Sequence, residues 1–255
     1  MKLRGILALA LVCLALLLAD PIQRLVIAPW VRLAPSRRIP VLARWQRLMA
    51  HTMLFLVGRV GGARIPELPS LPGRPGSLVL MNHQSLLDIP LVVASIEGSY
   101  PRIVTRKRYM RWIPLISHMT RLYQYPVVDP SANAGSMRRS LNALTRAARE
   151  TDVPLVVFPE GTRTRDGNIG RFKSNGLRQI LAQRPWTVHV LVADGFWQRA
   201  KFKQFLAGVG DIEGGIRLLG PLHWTDPDAD ADAFLRDVRE RMIDCLSDMR
   251  AGALE

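Results

Sequence analysis

Short apolar runs alternate with longer, mixed stretches after residue 75, and this order limits the fold more than any other feature of the chain. The run Ser77–Met81 follows a segment rich in Pro and Gly and has the length and composition of a buried strand. The same pattern predicts strands at 77–81, 102–105, 125–128, 153–158, 187–192 and 215–219, helices at 84–95, 134–149, 174–183 and 229–249, and a helix or turn at 107–122. This alternation predicts an α/β fold with a mainly parallel central sheet covered by helices.

The N-terminal segment predicts helices that attach the protein to a membrane. Residues 5–19 carry no charge and precede Asp20-Pro21, which we expect to end the first helix. Such a run makes about 22 Å of helix, short of the roughly 30 Å hydrocarbon core. A cleaved signal peptide, a retained anchor and a shallowly inserted helix all remain open, but the poor cleavage pattern favours a retained anchor. An apolar helix between residues 40 and 61 follows, so we predict anchoring helices in residues 1–60 and an α/β domain in residues 61–255.

The chain is strongly basic, with 35 Lys and Arg against 21 Asp and Glu and a formal net charge of +14. This surplus suits nucleic acid, an anionic membrane surface or an acidic substrate. Because the chain has an apolar N-terminus and no basic stripe with interleaved aromatic residues, we expect a membrane phospholipid surface and no nucleic acid as partner. Cys13 and Cys245 give no sign of a disulfide or a metal site, so no metal is expected.

Three of the five histidines are followed by an aspartate five residues later. The pairs are His83/Asp88, His189/Asp194 and His223/Asp228. His83 follows a predicted strand at a turn, and an aspartate early in the next helix can lean back toward it. His189 lies inside a predicted strand, where a residue five positions on is about 16 Å away on the opposite face. The third pair flanks a turn where an aspartate more plausibly caps a helix. Context therefore favours His83 as a general base oriented by Asp88. The alternative is a histidine that is hydrogen-bonded in the turn and has only a structural role.

A second constellation follows the predicted strand at 153–158. The chain continues as Pro159-Glu160-Gly161-Thr162-Arg163, and Lys173 lies just before the next predicted helix. Backbone N–H groups of a glycine turn, a hydroxyl and nearby cations are suited to holding the oxygens of an anion such as phosphate. A surface turn with solvated arginines is the alternative interpretation of this segment.

Together the two constellations resemble the glycerolipid acyltransferase family, and in particular the 1-acylglycerol-3-phosphate (lysophosphatidate) acyltransferases. The resemblance spans about residues 65–220. It implies that His83 deprotonates the acceptor hydroxyl, that Asp88 orients His83, and that no acyl-enzyme forms. It also implies that the block Glu160, Gly161, Thr162 and Arg163, with Lys173 nearby, binds the acceptor phosphate. Because like charges repel, we expect Glu160 to hold Arg163 or the turn.

The chain departs from the family pattern in its second motif. Ser117 stands where the family usually has glycine, and Pro130 stands where it has an arginine that is used with the acceptor phosphate. Arg106 or Lys107 could replace that charge, as could Arg121. The identity of the acceptor is therefore open.

The resemblance implies transfer of a fatty acyl group from acyl-CoA or acyl carrier protein to the free hydroxyl of 1-acylglycerol-3-phosphate, which gives phosphatidate in phospholipid biosynthesis. The donor is a co-substrate, and no cofactor is expected. A different lysophospholipid acceptor is the alternative, and a non-catalytic lipid-binding protein is less favoured because His83 and Asp88 are both present. We expect the protein at the cytoplasmic face of the inner (plasma) membrane.

Overall fold

The structure is a computed structural model that describes residues 2–130, 133–199, 204 and 208–252. Its helices are α1 (Lys2–Ile22), α2 (Ala28–Leu33), α3 (Arg38–Phe55), α4 (Asp88–Ser95), α5 (Ile116–Leu122), α6 (Ala134–Glu150), α7 (Ser174–Leu181) and α8 (Ala231–Ala251). Its strands are β1 (Leu71–Pro72), β2 (Ser77–Met81), β3 (Ile96–Glu97), β4 (Arg102–Ile103), β5 (Thr105–Arg106), β6 (Val127–Val128), β7 (Leu155–Val157), β8 (Trp186–Asp194) and β9 (Gly215–Trp224). Wider π-helical turns follow α1 at Gln23–Ile27 and α3 at Leu56–Val60.

The central sheet has five strands in the order β4-β7-β2-β8-β9. The first four are parallel, and β9 runs antiparallel to β8 along the edge. β2 lies in the middle, and all five of its residues are buried. The predicted α/β fold with a mainly parallel sheet is confirmed.

Helices cover both faces of the sheet, because successive side chains of a strand point to opposite faces. Val79 and Met81 of β2 pack with Leu91 of α4 on one face. Leu78 and Leu80 pack on the other face with residues of α7 and α8, among them Leu177. The continuous apolar run of β2 is the composition expected of a strand buried on both sides.

Several predicted elements differ in extent from those in the structure, among them the last strand, which is predicted at 215–219 and extends over Gly215–Trp224, and two of the differences have a local cause. The predicted helix at 84–95 begins only at Asp88, because backbone N–H groups of residues 84 and 85 bind the Asp88 carboxylate instead of continuing a helix. The predicted strand at 102–105 is divided, since β4 joins the main sheet while β5 pairs with β6 in a separate two-stranded sheet. Both differences arise from specific hydrogen bonds and strand pairing, which the periodicity of the local sequence cannot predict.

The N-terminal helix is longer than predicted, because Asp20 and Pro21 do not end it. The helical path from Leu3 to Leu33 covers 31 residues with a mean hydropathy of 2.4 in its most apolar window, which by length and composition suffices to cross a membrane. The Asp20 carboxylate accepts a hydrogen bond from the Leu115 N–H and pairs with Arg24, so its charge is neutralised within the fold. A single π-helical turn begins at Gln23, two residues after Pro21, and such a turn lets a helix continue past a local irregularity.

The N-terminal helices pack closely against the rest of the chain. Val12 of α1 and Leu54 of α3 belong to the same buried cluster as Val79 and Leu91. In addition, the Gln23 amide donates to the Leu115 carbonyl oxygen. The division of the chain at residue 60 therefore stays a prediction, and side chains from both parts share one core.

Candidate active site

His83 and Asp88 are in direct contact just beyond the carboxyl end of β2. His83 Nδ1 lies 2.7 Å from Asp88 Oδ2. The Asp88 side chain is completely buried and also accepts hydrogen bonds from the backbone N–H groups of Gln84 at 2.6 Å and Ser85 at 2.8 Å. The carboxylate thus curls residues 83–85 around itself, which brings the first residue of α4 back to the imidazole.

The contact orients the imidazole for proton transfer. The Asp88 carboxylate accepts a hydrogen bond from the Nδ1–H group, so the neutral tautomer that fits this geometry leaves Nε2 with a free lone pair. The ring stacks on Phe158 with centroids 4.4 Å apart, and the His83 side chain is 20% exposed. His83 is therefore held on two sides and open to a substrate on another, as a general base requires.

Asn82 anchors the turn to the neighbouring strand. Its side-chain amide donates to the Ala193 carbonyl oxygen and accepts from the Ala193 N–H, both at 2.8 Å. This pair of hydrogen bonds extends the β2–β8 ladder by one side chain. The site consequently rests on the carboxyl ends of adjacent parallel strands, where open α/β sheets place their ligands.

Glu160 connects the two predicted constellations. Its carboxylate accepts hydrogen bonds from the His83 N–H and from the Gly170 N–H, each at 3.0 Å, and the residue is 5% exposed. Burial raises the pKa of this carboxyl, an effect that the two backbone donors partly offset. Of the two expected tasks, Glu160 performs that of holding the turn. This buried carboxylate, which already accepts two backbone hydrogen bonds, agrees with the expectation that Glu160 does not itself contact the phosphate, and phosphate binding by the block stays a prediction.

The turn at Gly161 gathers several of the predicted cations. Gly161 has φ of +65°, and a Cβ there would lie 3.0 Å from Lys173 Cδ, so the lysine side chain covers the glycine. The Arg106 guanidinium donates to the Gly161 carbonyl oxygen. Thr162 is exposed and Arg163 is partly exposed beside them. The structure thus brings Arg106, Lys173 and the turn together, while phosphate binding by these residues stays a prediction.

Lys107, the other candidate for the missing charge, lies near a carboxylate. Its ammonium group is 3.1 Å from Asp129 Oδ2. Pro130 follows directly, so the chain has an ion pair next to the position of the family's arginine. At the second departure, the Ser117 hydroxyl accepts a hydrogen bond from the Ile113 N–H, a contact that glycine cannot make.

The structure also reveals supporting residues that the sequence analysis missed. Arg250 of α8 pairs with Asp194 at 2.8 Å and donates to the Gly167 carbonyl oxygen. Arg239, three helical turns earlier on the same helix, donates to the Gly170 and Ile169 carbonyl oxygens. These bonds hold the loop that carries the Gly170 donor of Glu160. The only sequence signal was the spacing of two arginines on one side of the last helix.

The other two histidine–aspartate pairs have different surroundings. His189 is buried, and neither of its ring nitrogens has a hydrogen-bond partner within the residues that the structure describes. Asp194 instead binds the Gln84 side-chain amide and Arg250. Near the third pair, Asp230 is the residue that caps α8.

Comparison with known proteins gives consistent matches. The Acyltransferase family model matches residues 62–192. A 1-acyl-sn-glycerol-3-phosphate acyltransferase of Cocos nucifera is 29% identical over 160 residues, which cover 63% of this chain and 48% of that protein. A protein of the same name from Limnanthes douglasii is 24% identical over 222 residues, which cover 84% of this chain and 73% of the relative. The match thus spans about half the length of the coconut protein.

A solved structure supports the fold. The crystal structure of the 1-acyl-sn-glycerophosphate (LPA) acyltransferase of Thermotoga maritima superposes with a TM-score of 0.64. The superposition covers 97% of this chain and 98% of the other at 16% identity. This likeness extends through the N-terminal helices and the sheet.

Proposed function

The chain belongs to the acyltransferase family, and on that premise we propose that it transfers a fatty acyl group from acyl-CoA or acyl carrier protein to the free hydroxyl of 1-acylglycerol-3-phosphate. The observation that carries the proposal is the contact of His83 with the buried Asp88, joined through Glu160 to the Gly161 turn. Acylation of a phosphorylated alcohol requires a base beside a cationic phosphate site, and this arrangement supports those two roles. The names of the coconut and Limnanthes relatives support the choice of acceptor.

In the proposed reaction, His83 Nε2 takes the proton of the acceptor hydroxyl as its oxygen attacks the thioester carbonyl carbon. The Asp88 carboxylate stabilises the imidazolium that forms, because the two groups are already hydrogen-bonded. When the tetrahedral intermediate collapses, the C–S bond breaks and the proton passes from His83 to the departing sulfur. The products are the ester and the free thiol, and no residue of the chain is acylated.

The acceptor phosphate is assigned to the turn at Gly161. The positive φ of Gly161 keeps the backbone free of a side chain, and Arg106 and Lys173 lie against the same residue. Arg163 and Thr162 complete the proposed phosphate site. Guanidinium and ammonium groups bind phosphate oxygens through charge-assisted hydrogen bonds, which are about twice as strong as neutral ones.

A different lysophospholipid acceptor is the second candidate, and Pro130 is the observation that favours it. Pro130 supplies no charge where the family has an arginine, and the nearby Lys107 lies against Asp129. A head group with less need for that cation would suit this site better than a bare phosphomonoester.

We place the protein at a membrane, with the cytoplasmic face of the inner membrane as the proposed location. The helical segment Leu3–Leu33 exposes large apolar side chains, including Leu7, Leu14 and Leu18. Beside the site, Leu86 and Ile89 are also exposed, at 46% and 41%. Apolar groups next to the base are suited to the acyl chains of lipid substrates.

The test is an acyl-transfer assay with the full chain in mixed micelles. Lysophosphatidate and lysophospholipids with other head groups are offered as acceptors, with acyl-CoA or acyl carrier protein as donor. The His83→Ala variant is expected to lose about 10²- to 10⁴-fold in kcat. The matched control is His223→Ala, since His223 is exposed and also precedes an aspartate by five residues.

Each outcome of the assay is decisive. Full activity of His83→Ala would contradict the assignment of the base. Strong turnover only with other head groups would establish the second candidate. A folded parent that binds lysolipid and transfers no acyl group would indicate a lipid-binding protein.

A further inference from the structure

A basic cavity is lined by residues at the start of α7, just before it and in the first half of α8. Its volume is about 630 Å³, within the range of small-molecule sites. Arginines 171, 178, 236 and 239 line it together with the buried side chains of Phe172 and Leu235. Asp232 is the one carboxylate in the lining, so the cavity carries a clear excess of positive charge.

Two of the four arginines are already engaged in the fold. Arg239 donates to backbone carbonyl oxygens of the loop, and Arg178 pairs with Asp232 at 2.9 Å. Arg171 and Arg236 are exposed, and within the described part of the chain neither donates a hydrogen bond or closes an ion pair. Arg236 lies within electrostatic reach of Asp230, whose carboxylate caps α8. Two guanidinium forks are therefore available to an anion in the cavity.

The start of α7 adds hydrogen-bond donors to the same cavity. Ser174, the first residue of this helix, belongs to the lining. Lys173 precedes the helix and makes no capping hydrogen bond with its side chain. The first N–H groups of a helix lack partners within the helix and favour negative charge, so they act in the same direction as the two arginines.

A chain of hydrogen bonds connects a residue that lines the cavity to His83, the proposed base. Arg239 donates to the Gly170 carbonyl oxygen, the Gly170 N–H donates to Glu160, and Glu160 accepts from the His83 N–H. Along the chain, Phe172 lines the cavity, while the next residue, Lys173, covers Gly161 of the proposed phosphate turn. A ligand bound in the cavity therefore contacts residues that adjoin the site, while His83 and Gly161 lie outside the lining.

We propose that this cavity binds the phosphates of the nucleotide portion of acyl-CoA, which makes acyl-CoA the donor. The inference rests on the proposed acyl transfer and selects between its two donors. A nucleotide with a diphosphate and a 3′-phosphate matches a concave site with several guanidinium groups. A carrier protein presents an acidic surface, which calls for an open basic face and not a cavity of small-molecule size.

The experiment measures equilibrium binding of CoA to the full chain, with dephospho-CoA as the analogue without the 3′-phosphate. The variants are Arg171→Gln, Arg236→Gln and the two combined, and the matched control is Arg138→Gln, an exposed arginine of α6. Each single change is expected to weaken CoA binding about tenfold, since a hydrogen bond to a charged group contributes on that scale. Dephospho-CoA should bind more weakly than CoA to the parent and lose less on substitution.

Steady-state kinetics supply the second measurement. The double variant should raise KM for acyl-CoA about as much as it raises the Kd of CoA, with kcat and KM for the acceptor unchanged. Unchanged CoA binding in a double variant with parental thermal stability would overturn the proposal, as would a parent that uses only acyl carrier protein. If the parent transfers no acyl group to any lysolipid but binds CoA through these arginines, the cavity stands and the proposed function fails.

Discussion

The segments around His83 and His189 start from the same spacing and end in opposite structures. His83 lies in a turn, where Asp88 comes back to within 2.7 Å of the ring. His189 lies within β8, whose extended backbone carries Asp194 onward to Arg250 and Gln84. One imidazole has a carboxylate partner and access to solvent, and the other is buried without a hydrogen bond in the described structure.

The difference shows that the conformation of the intervening backbone decides whether a histidine and an aspartate five residues apart can make contact. A turn in which the Gln84 and Ser85 N–H groups point at one carboxylate shortens the distance between the two residues, whereas a strand lengthens it by about 3.3 Å per residue. Asp194 nevertheless contributes to the site, because it binds the Gln84 side chain and the arginine that holds the loop. The segment around His83 therefore carries the proposed base, and the segment around Asp194 holds the residues that support it.

The largest effect that would break this comparison is expected from Asp88→Asn. The amide can still accept a backbone hydrogen bond, but it cannot stabilise an imidazolium, so kcat should fall about 10²- to 10⁴-fold. The measurement is kcat in the acyl-transfer assay, together with the melting temperature. Asp228→Asn, which changes an exposed aspartate at the same spacing from His223, is the control. Equal activity of Asp88→Asn and the parent would mean that the His83–Asp88 contact has no catalytic role.

A smaller effect is expected from Arg250→Met, which removes a residue that holds the loop and leaves the His83–Asp88 contact in place. Loss of the bonds to Asp194 and Gly167 should lower the free energy of unfolding by about 1–2 kcal/mol. Displacement of the loop should lower kcat/KM about tenfold. Chemical denaturation and steady-state kinetics measure the two quantities.

Arg241→Met is the matched control for Arg250, because Arg241 forms an exposed ion pair with Asp237 on the same helix. We expect this control to change the free energy of unfolding by less than about 1 kcal/mol. If both variants lost the same activity, the loop contacts of Arg250 would not explain the effect.

The smallest effect on activity is expected from His189→Leu, which should leave kcat unchanged and reduce the sensitivity of the fold to acid. Burial, followed by the neighbouring His223, lowers the pKa of His189 below its usual 6.5. Between that lowered pKa and 6.5 the unfolded chain binds more protons than the folded one, so stability falls as the pH falls. Urea denaturation at pH 5 and pH 8 should show a smaller acid loss for the variant than for the parent. An identical acid loss would mean that His189 does not titrate in this way.

The fold could be predicted from the sequence wherever the buried residues of an element form an apolar run or recur at a regular spacing. β2 has the predicted bounds, and α6 and α8 begin or end within two residues of them, because an apolar run or a stripe defines each. The first helix was predicted too short, since an internal aspartate and proline usually mark an end. Here the Leu115 N–H, distant in sequence, donates a hydrogen bond to that aspartate, and Arg24 pairs with its charge.

The centre of the site could be predicted and its support could not. His83, Asp88 and the Gly161 turn follow predicted strands, and their residue types indicate the chemistry. The hydrogen bonds of Arg239 and Arg250 join the last helix to a loop some seventy or eighty residues earlier. Nothing in the amphipathic pattern of that helix distinguishes arginines that bind carbonyl oxygens from arginines that face water.

Helix α1 packs against the core on one side and exposes apolar side chains on the other, which has a consequence for making the protein in quantity. Deleting the helix to obtain a detergent-free sample would uncover the core cluster that includes Val12 and would leave the Leu115 N–H without its acceptor on Asp20. Exchanging the outward residues Leu7, Leu14 and Leu18 for polar ones leaves both contacts in place. Resurfacing, and not truncation, is the route to a water-soluble form of this enzyme that keeps its core.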